Sequence, residues 1–333
     1  MMTWFEELTG FREGGADQVH KNLSIDGPTM VSKVNGKVFL WGSLETPPLG
    51  ELRKRISSLS GGRSQGIKLR EIIADTQALH ADPSNAGSLF QVASQFNLLE
   101  MVSPNVTPEQ GVTIYENDFT QGPACAIAAG PGTIYRNYFV PVKYGIGQTA
   151  SRQIDCLADI GKALGNTDSR LWSMQNGYAL PSRNGLFEIS TRLQTASEEE
   201  LDQLRKLLRI GLQWNTQVTL NNSSHLVSQA YCSALPVAYS ALPANLWRNF
   251  AQLALGASYE ATLCAAILNL ENTGKSNVYL TLIGGGAFGN EADWIMAAMK
   301  RALKIYAEHD INVTIVSYGR SNPHVQQLIS CFS

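Results

Sequence analysis

Near the end of the chain, the run 280-LTLIGGGAFGN-290 leaves few folds open. The apolar stretch Asn277 to Ile283 predicts a strand. Gly284, Gly285 and Gly286 follow at once, and a helical pattern runs from about Glu291 to Glu308. Within it Ile295, Ala298, Ala302 and Ile305 recur at spacings of three and four, which predicts one buried stripe. Asn312 to Ser317 predicts a last strand. Strand, glycine turn, helix and strand in that order form a βαβ unit, so an α/β fold with a partly parallel sheet is expected. A helix that starts just after glycines offers unpaired N–H groups and a positive dipole end, which favour an anion. Glycine also lets a ligand approach the backbone closely. The functional inference is a phosphate or diphosphate site; the alternative is a tight turn with no ligand.

The run Gly284 to Gly289 also spells G-x-G-x-x-G. A dinucleotide fold needs an acidic residue about twenty positions on, at the end of the next strand. Asp310 lies at that distance but precedes the last strand, and Tyr318-Gly319-Arg320-Ser321 after it holds no carboxylate. Only 44 residues follow Gly289, too few for the rest of such a fold. The dinucleotide fingerprint is rejected.

Upstream, 29-TMVSKVNGKVFLWG-42 alternates around Asn35-Gly36 and predicts a hairpin. Ser57 to Gln65 is a Ser/Gly-rich loop, Ser88 to Asn97 a buried strand with a polar end, and Ser103 to Gly111 another loop. The small apolar residues 122-GPACAIAAG-130 suit a tightly packed helix start. Residues 151–165 predict a helix with Ile154, Leu157, Ile160 and Leu164 on one face. Residues 197–213 place Glu198, Glu199 and Glu200 before Arg205, Lys206 and Arg209, as the helix dipole prefers. Residues 247–270 predict a helix with a break at Gly256.

Composition narrows the function classes. With 333 residues, 44% of them hydrophobic, the chain supports a sizeable core. A net charge of −2 argues against bulk nucleic-acid binding. No signal-peptide pattern or membrane-spanning run is legible, and the five cysteines are odd in number and dispersed. A cytoplasmic protein with no membrane partner is expected. The five histidines are scattered, so no metal is expected, and no cofactor either. No nucleophile elbow, H-E-x-x-H or Walker A motif appears.

Four segments in fixed order resemble the macrodomain family, the ADP-ribose-binding α/β/α module. They are 73-IADT-76, 92-VASQFN-97, 120-TQGPACAIAAG-130, and 284-GGGAFG-289 with its helix, followed by Tyr318 after the last strand. The resemblance covers roughly residues 70–130 and 250–322. It implies a three-layer α/β/α domain with a mixed central sheet. The whole chain would be one such domain, with an N-terminal extension of about 1–65 and a large helical insertion of about 135–245. It also implies ADP-ribose or an ADP-ribosylated substrate as the partner.

Position by position, the resemblance implies that Asp75 accepts from the adenine amino group and that Asn97 faces the distal ribose. Gly122, Pro123 and Ala124 would line one side of the diphosphate. Gly284, Gly285, Gly286, Ala287, Phe288, Gly289 and Asn290 would line the other, and Tyr318 would stack on adenine. Each has a plain alternative: Asp75 as a helix cap, Asn97 as a strand-end residue, Phe288 and Tyr318 as core aromatics. One hydrolytic branch of the family has an aspartate where this chain has Ala124. The poly(ADP-ribose) glycohydrolase branch has paired glutamates near its glycine loop, and none follows Gly122 here. The catalytic candidates are therefore Asn97 and Glu100, with Glu116 and Asp118 as alternatives; Glu109 lies in the same loop. A carboxyl group is apt at a glycosidic centre because cleavage passes through an oxocarbenium-like state. Arg136, Tyr138, Arg152, Asn176 and Tyr178 in the long middle segment are candidates to cap the pocket, or else belong to an accessory layer. Two function classes remain open: an ADP-ribosyl hydrolase, or a non-catalytic module that binds ADP-ribose or a related NAD metabolite.

Overall fold

The computed structural model describes residues 2–59 and 66–332. Most of the loop expected over Ser57 to Gln65 lies outside the described residues. A seven-stranded sheet organises the chain in the order β4-β11-β12-β6-β13-β14-β5. Its members are β4 (Ser43–Glu45), β5 (Lys68–Ile73), β6 (Leu89–Ala93), β11 (Gly211–Gln217), β12 (Leu226–Cys232), β13 (Asn277–Leu280) and β14 (Asn312–Ser317). The run from β12 to β5 is parallel, whereas β11 is antiparallel to both its neighbours, so the sheet is mixed. The remaining strands are short. β1 (Leu23–Asp26), β2 (Thr29–Ser32) and β3 (Val38–Leu40) make an N-terminal sheet. β7 (Pro141–Val142) pairs with β8 (Gly145–Ile146), and β9 (Trp172–Gln175) with β10 (Tyr178–Pro181).

Side chains alternate across the central sheet and build a core on each face. Leu89, Val92, Val278, Leu280, Val313 and Ile315 join one buried cluster with the helices Ala244–Thr273 and Ala292–Ile305. Phe90, Tyr279 and Val316 point the other way, toward Leu79 of the helix Thr76–Ala81. Helices on both faces of a mixed sheet give the three-layer α/β/α arrangement. The unit β13, helix Ala292–Ile305, β14 is the parallel crossover that the glycine run predicted.

Several boundaries move. The helix Ala244–Thr273 passes through Gly256 unbroken. It is long and apolar enough to cross a membrane by composition, but 94% of its most apolar window is buried inside this fold, so it is a core helix. The helix expected over 151–165 spans only Ala158–Leu164, and Ile154 and Leu157 precede it. The charged helix ends at Arg205, held at its start by a capping box between Ser197 and Glu200. Ile305 leaves the expected stripe and is 46% exposed, because the helix is ending there. The segment 135–245 is not wholly outside the sheet, since its last third supplies β11 and β12.

One buried histidine couples this core to pH. His80 Nδ1 donates to the Thr76 carbonyl, 2.7 Å away, and Nε2 accepts from Gln229 at 3.1 Å. Its ring stacks on Phe90 with centroids 3.8 Å apart. Burial pulls its pKa from 6.5 down to about 4, against the opposing pull of the Thr76 carbonyl. The folded state therefore binds the proton less well than the unfolded chain. This contribution is intact above the unfolded value and is lost as pH falls toward the folded one. Between pH 7 and pH 4 His80 should cost roughly 3 kcal/mol of stability. Urea midpoints measured across that range should fall more steeply in the wild type than in His80→Gln.

Candidate functional site

The C-terminal ends of the parallel strands meet at one cavity of about 160 Å³. Its floor comes from Ala93, Ser94 and Gln95 after β6 and from Thr281, Leu282 and Ile283 after β13. That is where open α/β sheets place their ligands. The helix Gln121–Ala128 enters from one side with Gly122 and Pro123, and the glycine loop closes the other with Gly284, Gly286, Ala287 and Phe288.

Side-chain hydrogen bonds set the helix against the sheet. Gln121 Oε1 accepts from the Ala93 N–H at 2.9 Å, and its Nε2 donates to the Gln91 carbonyl at 2.8 Å. The helix start is thereby locked to the end of β6. No side chain caps it at Thr120, so the Gln121 and Gly122 N–H groups are left for a ligand or water. A Cβ on Gly122 would run into the Ala93 carbonyl and the Glu100 carboxyl, so only glycine fits there.

The glycine loop is shaped by its own bonds. Asn290 N–H and Nδ2 both reach the Gly284 carbonyl, and Nδ2 also donates to Leu235 O at 2.8 Å. Gly284 sits at φ 75°, and a Cβ there would strike Ala234 and Asn290. Among the described residues, no hydrogen bond engages the N–H groups of Gly284, Gly286, Ala287 or Phe288. Two sets of free N–H donors thus border one cavity, and among the described residues no Lys or Arg lines it. Neutral donors held by rigid backbone are the usual cradle for phosphate oxygens.

Among the described residues, Glu100 is the one strongly perturbed acid that lines this cavity. It is 4% exposed, and its Oε1 has no hydrogen-bond partner. Burial raises its pKa well above the usual carboxylate range; Arg136 pulls the other way, and Asp118 adds to the rise. Burial therefore favours the protonated form of Glu100. Asp118 shares the cavity wall and accepts from the Thr120 N–H at 2.9 Å. Phe119, next to Asp118 in the chain, is 95% exposed. Opposite stand Tyr178, Tyr239 and Phe288, with ring centroids 5.1 to 5.5 Å apart.

A second cavity of about 480 Å³ adjoins the first, sharing Thr281, Leu282 and Gly286. Gly285, Asn290, Tyr318 and Arg320 line it, and Tyr318 is 83% exposed. Glu71 fixes this wall. Burial pulls its pKa up, but its carboxylate accepts from Ser317, Ser321, Gln326 and the Asn322 N–H, and together these donors hold the pKa down at about 2.

The structure brings together Glu100, Asp118, Gly122, Pro123, Gly284, Gly286, Ala287 and Phe288, with Gly285, Asn290 and Tyr318 next door. It leaves others outside both cavities. Asp75 is an exposed helix cap that accepts from the Ala78 N–H. Asn97 is buried, with its amide bonded to Gln153 and to the Leu99 N–H, so it shapes the turn before Glu100 and does not face the cavity. Ala124 gives its carbonyl to Gln77. Glu116 is exposed and Glu109 binds the Ala150 N–H. Gly289 makes the turn at φ 69°. Among the middle-segment candidates only Tyr178 reaches the cavity, with its hydroxyl donating to the Met101 carbonyl at 2.5 Å. Tyr138 bonds Glu13, Arg152 the Tyr144 carbonyl, and Asn176 the Pro104 carbonyl. Sequence reading missed Gln95, Gln121 and Tyr239. Asn176-Gly177, a hairpin signal between β9 and β10, was the available pointer to Tyr178.

No family model matches this chain, and no curated protein does. Among solved structures it is similar to poly(ADP-ribose) glycohydrolase from Deinococcus radiodurans in complex with ADP-ribose. The identity is 11%, 97% of each chain is covered, and the TM-score is 0.45. It is also similar to the Thermomonospora curvata poly(ADP-ribose) glycohydrolase, at 10% identity, 95% coverage of each chain and a TM-score of 0.44. At this identity and TM-score no residue role or activity transfers.

Proposed function

We propose that this protein is a macrodomain-like enzyme that binds ADP-ribose, or a larger ligand containing it, and hydrolyses an ADP-ribosyl linkage. The observation that carries the reading is the convergence of a buried Glu100, its Oε1 without a hydrogen-bond partner, with two opposed sets of free N–H groups in one cavity. The N–H donors of Gln121, Gly122 and the glycine loop suit a diphosphate. Tyr178, Tyr239 and Phe288 offer an apolar wall to the sugar beyond it. The adjoining cavity offers the Tyr318 ring to a flat base.

The chemistry follows from Glu100 being neutral. Its carboxyl proton passes to the leaving oxygen or nitrogen as the bond to the anomeric carbon breaks. The oxocarbenium-like carbon is met by water, and the proton that the water sheds returns to the Glu100 carboxylate. Asp118, on the same wall, adds negative charge near the developing cation.

The direct test is incubation with substrates carrying ADP-ribose through O- and N-glycosidic links, followed by chromatography for free ADP-ribose. Release that depends on Glu100 supports the reading; no release from either class rejects hydrolysis of those links. Tyr318 gives a separate expectation. Because it is largely exposed, Tyr318→Ala should leave the melting temperature unchanged yet weaken ADP-ribose binding about 5- to 100-fold, the worth of one stacked base. Calorimetry with ADP-ribose and with ribose 5-phosphate, which lacks the base, checks it: only the former should weaken.

A further inference from the structure

Glu100 hangs from a strained turn that other side chains hold in place. Leu98, two residues before it, is a buried leucine at φ 66°, a conformation that non-glycine residues rarely adopt. Such strain persists only where the surroundings over-determine it. Here they do. The Leu98 carbonyl accepts from Arg136 Nε at 3.1 Å. The Asn97 carbonyl accepts from Gln148 Nε2 at 3.0 Å, and the same amide reaches the Arg136 carbonyl. The Glu100 N–H itself donates to the Tyr115 hydroxyl at 3.0 Å.

Arg136 is the unusual member of this set. It is fully buried, in a π-turn spanning Tyr135–Phe139. Its other bonds go to the neutral Thr133 hydroxyl and the Gln213 amide, and its guanidinium carbon lies 3.6 Å from the centre of the Tyr231 ring. Among the described residues no carboxylate forms an ion pair with it. A buried cation with only neutral partners is costly and calls for a reason. Of the groups among the described residues that face the Glu100 carboxyl, Asp118 is acidic, Tyr115, Tyr178, Tyr231 and Cys125 are neutral, and Arg136 alone is positive.

We propose that Arg136 is the positioning residue of Glu100: it holds the turn at Leu98 that aims the carboxyl into the cavity, and it is the counter-charge waiting for the carboxylate that forms when Glu100 gives up its proton. The helical middle segment thus serves the site from behind, by fixing the acid. The catalytic half of this inference rests on the hydrolase reading above; the electrostatic half does not.

The test is a carbon-13 titration of glutamate-labelled protein without ligand, with the Glu100 carboxyl signal assigned by its loss in Glu100→Gln. Arg136→Gln should move the Glu100 midpoint upward, and Arg136→Lys, which keeps the charge, should leave it near the wild-type position. An unmoved midpoint in Arg136→Gln overturns the counter-charge. Gln148→Ala leaves every charge in place and loosens only the turn, so it keeps the test open if Arg136→Gln does not fold. It should lower kcat at least tenfold at constant KM with an unmoved midpoint; full turnover overturns the positioning role. A shifted midpoint in a protein that cleaves no ADP-ribosyl link upholds the pairing and removes only the hydrolase assignment.

Discussion

Glu100→Gln is expected to lower kcat by about 10²- to 10⁴-fold, the usual worth of a general acid, with ADP-ribose affinity within a few-fold of wild type. The substitution keeps the shape of the side chain and the neutral form that burial favours. Only the transferable proton is removed. The wild-type enzyme should accordingly lose kcat on the alkaline side, as the acid deprotonates. Stability gives an independent signature with its own sign. A carboxyl whose folded pKa is raised must take up a proton on folding whenever the pH lies above its unfolded value. That uptake opposes folding at neutral pH and ceases to do so as pH falls to the unfolded value. Glu100→Gln should therefore melt higher than wild type at pH 7, and the gap should close near pH 4. Equal melting at pH 7 would mean that the carboxyl is ionised there and cannot serve as the acid.

Gly286→Val should abolish measurable ADP-ribose binding while leaving the melting temperature within a few degrees of wild type. Among the described residues, a Cβ on Gly286 would meet no atom within 4 Å beyond its chain neighbours, and the residue borders both cavities. A branched side chain there would grow into the space assigned to the ligand, not into the core. Gly284 is the contrast. Its positive φ and its contact with Ala234 and Asn290 mean that Gly284→Ala should destabilise the fold itself. Thermal melts and calorimetry on the two variants separate a ligand-facing glycine from a turn-making one. Affinity retained in Gly286→Val would reduce the loop to a connection between strand and helix.

The two ends of the chain were legible because local rules and tertiary structure agree there. Asn35-Gly36 closes the β2–β3 hairpin, with Met30 opposite Phe39. The glycine run and the 3.6-residue period that follows it give the crossover from β13 to β14. The strands β11 and β12 were hidden for a physical reason. Their polar residues Gln213, Thr216, Ser228 and Gln229 are buried, with the Gln213 and Gln229 amides donating to the Trp41 and Cys125 carbonyls, so no alternation marks a strand. Asn97 was misplaced for a similar reason: a polar residue at a strand end was expected to meet ligand, but its amide closes the turn that carries Glu100. Asp75 took the plain alternative of a helix cap. Glu100 was found from its distance to a strand end alone. Its burial, the property that gives it a chemical role, comes from Tyr115, Tyr178 and Gly122, which are remote in sequence.

On the proposed reading, one cavity, walled by Gly122 and the glycine loop, takes the diphosphate of ADP-ribose beside Glu100. Isothermal titration of the wild-type protein with ADP-ribose, with Gly286→Val as the control, tests it most directly. Saturable one-to-one binding that the variant loses is the predicted result. No heat with ADP-ribose at millimolar concentration, or equal binding by the variant, would contradict it.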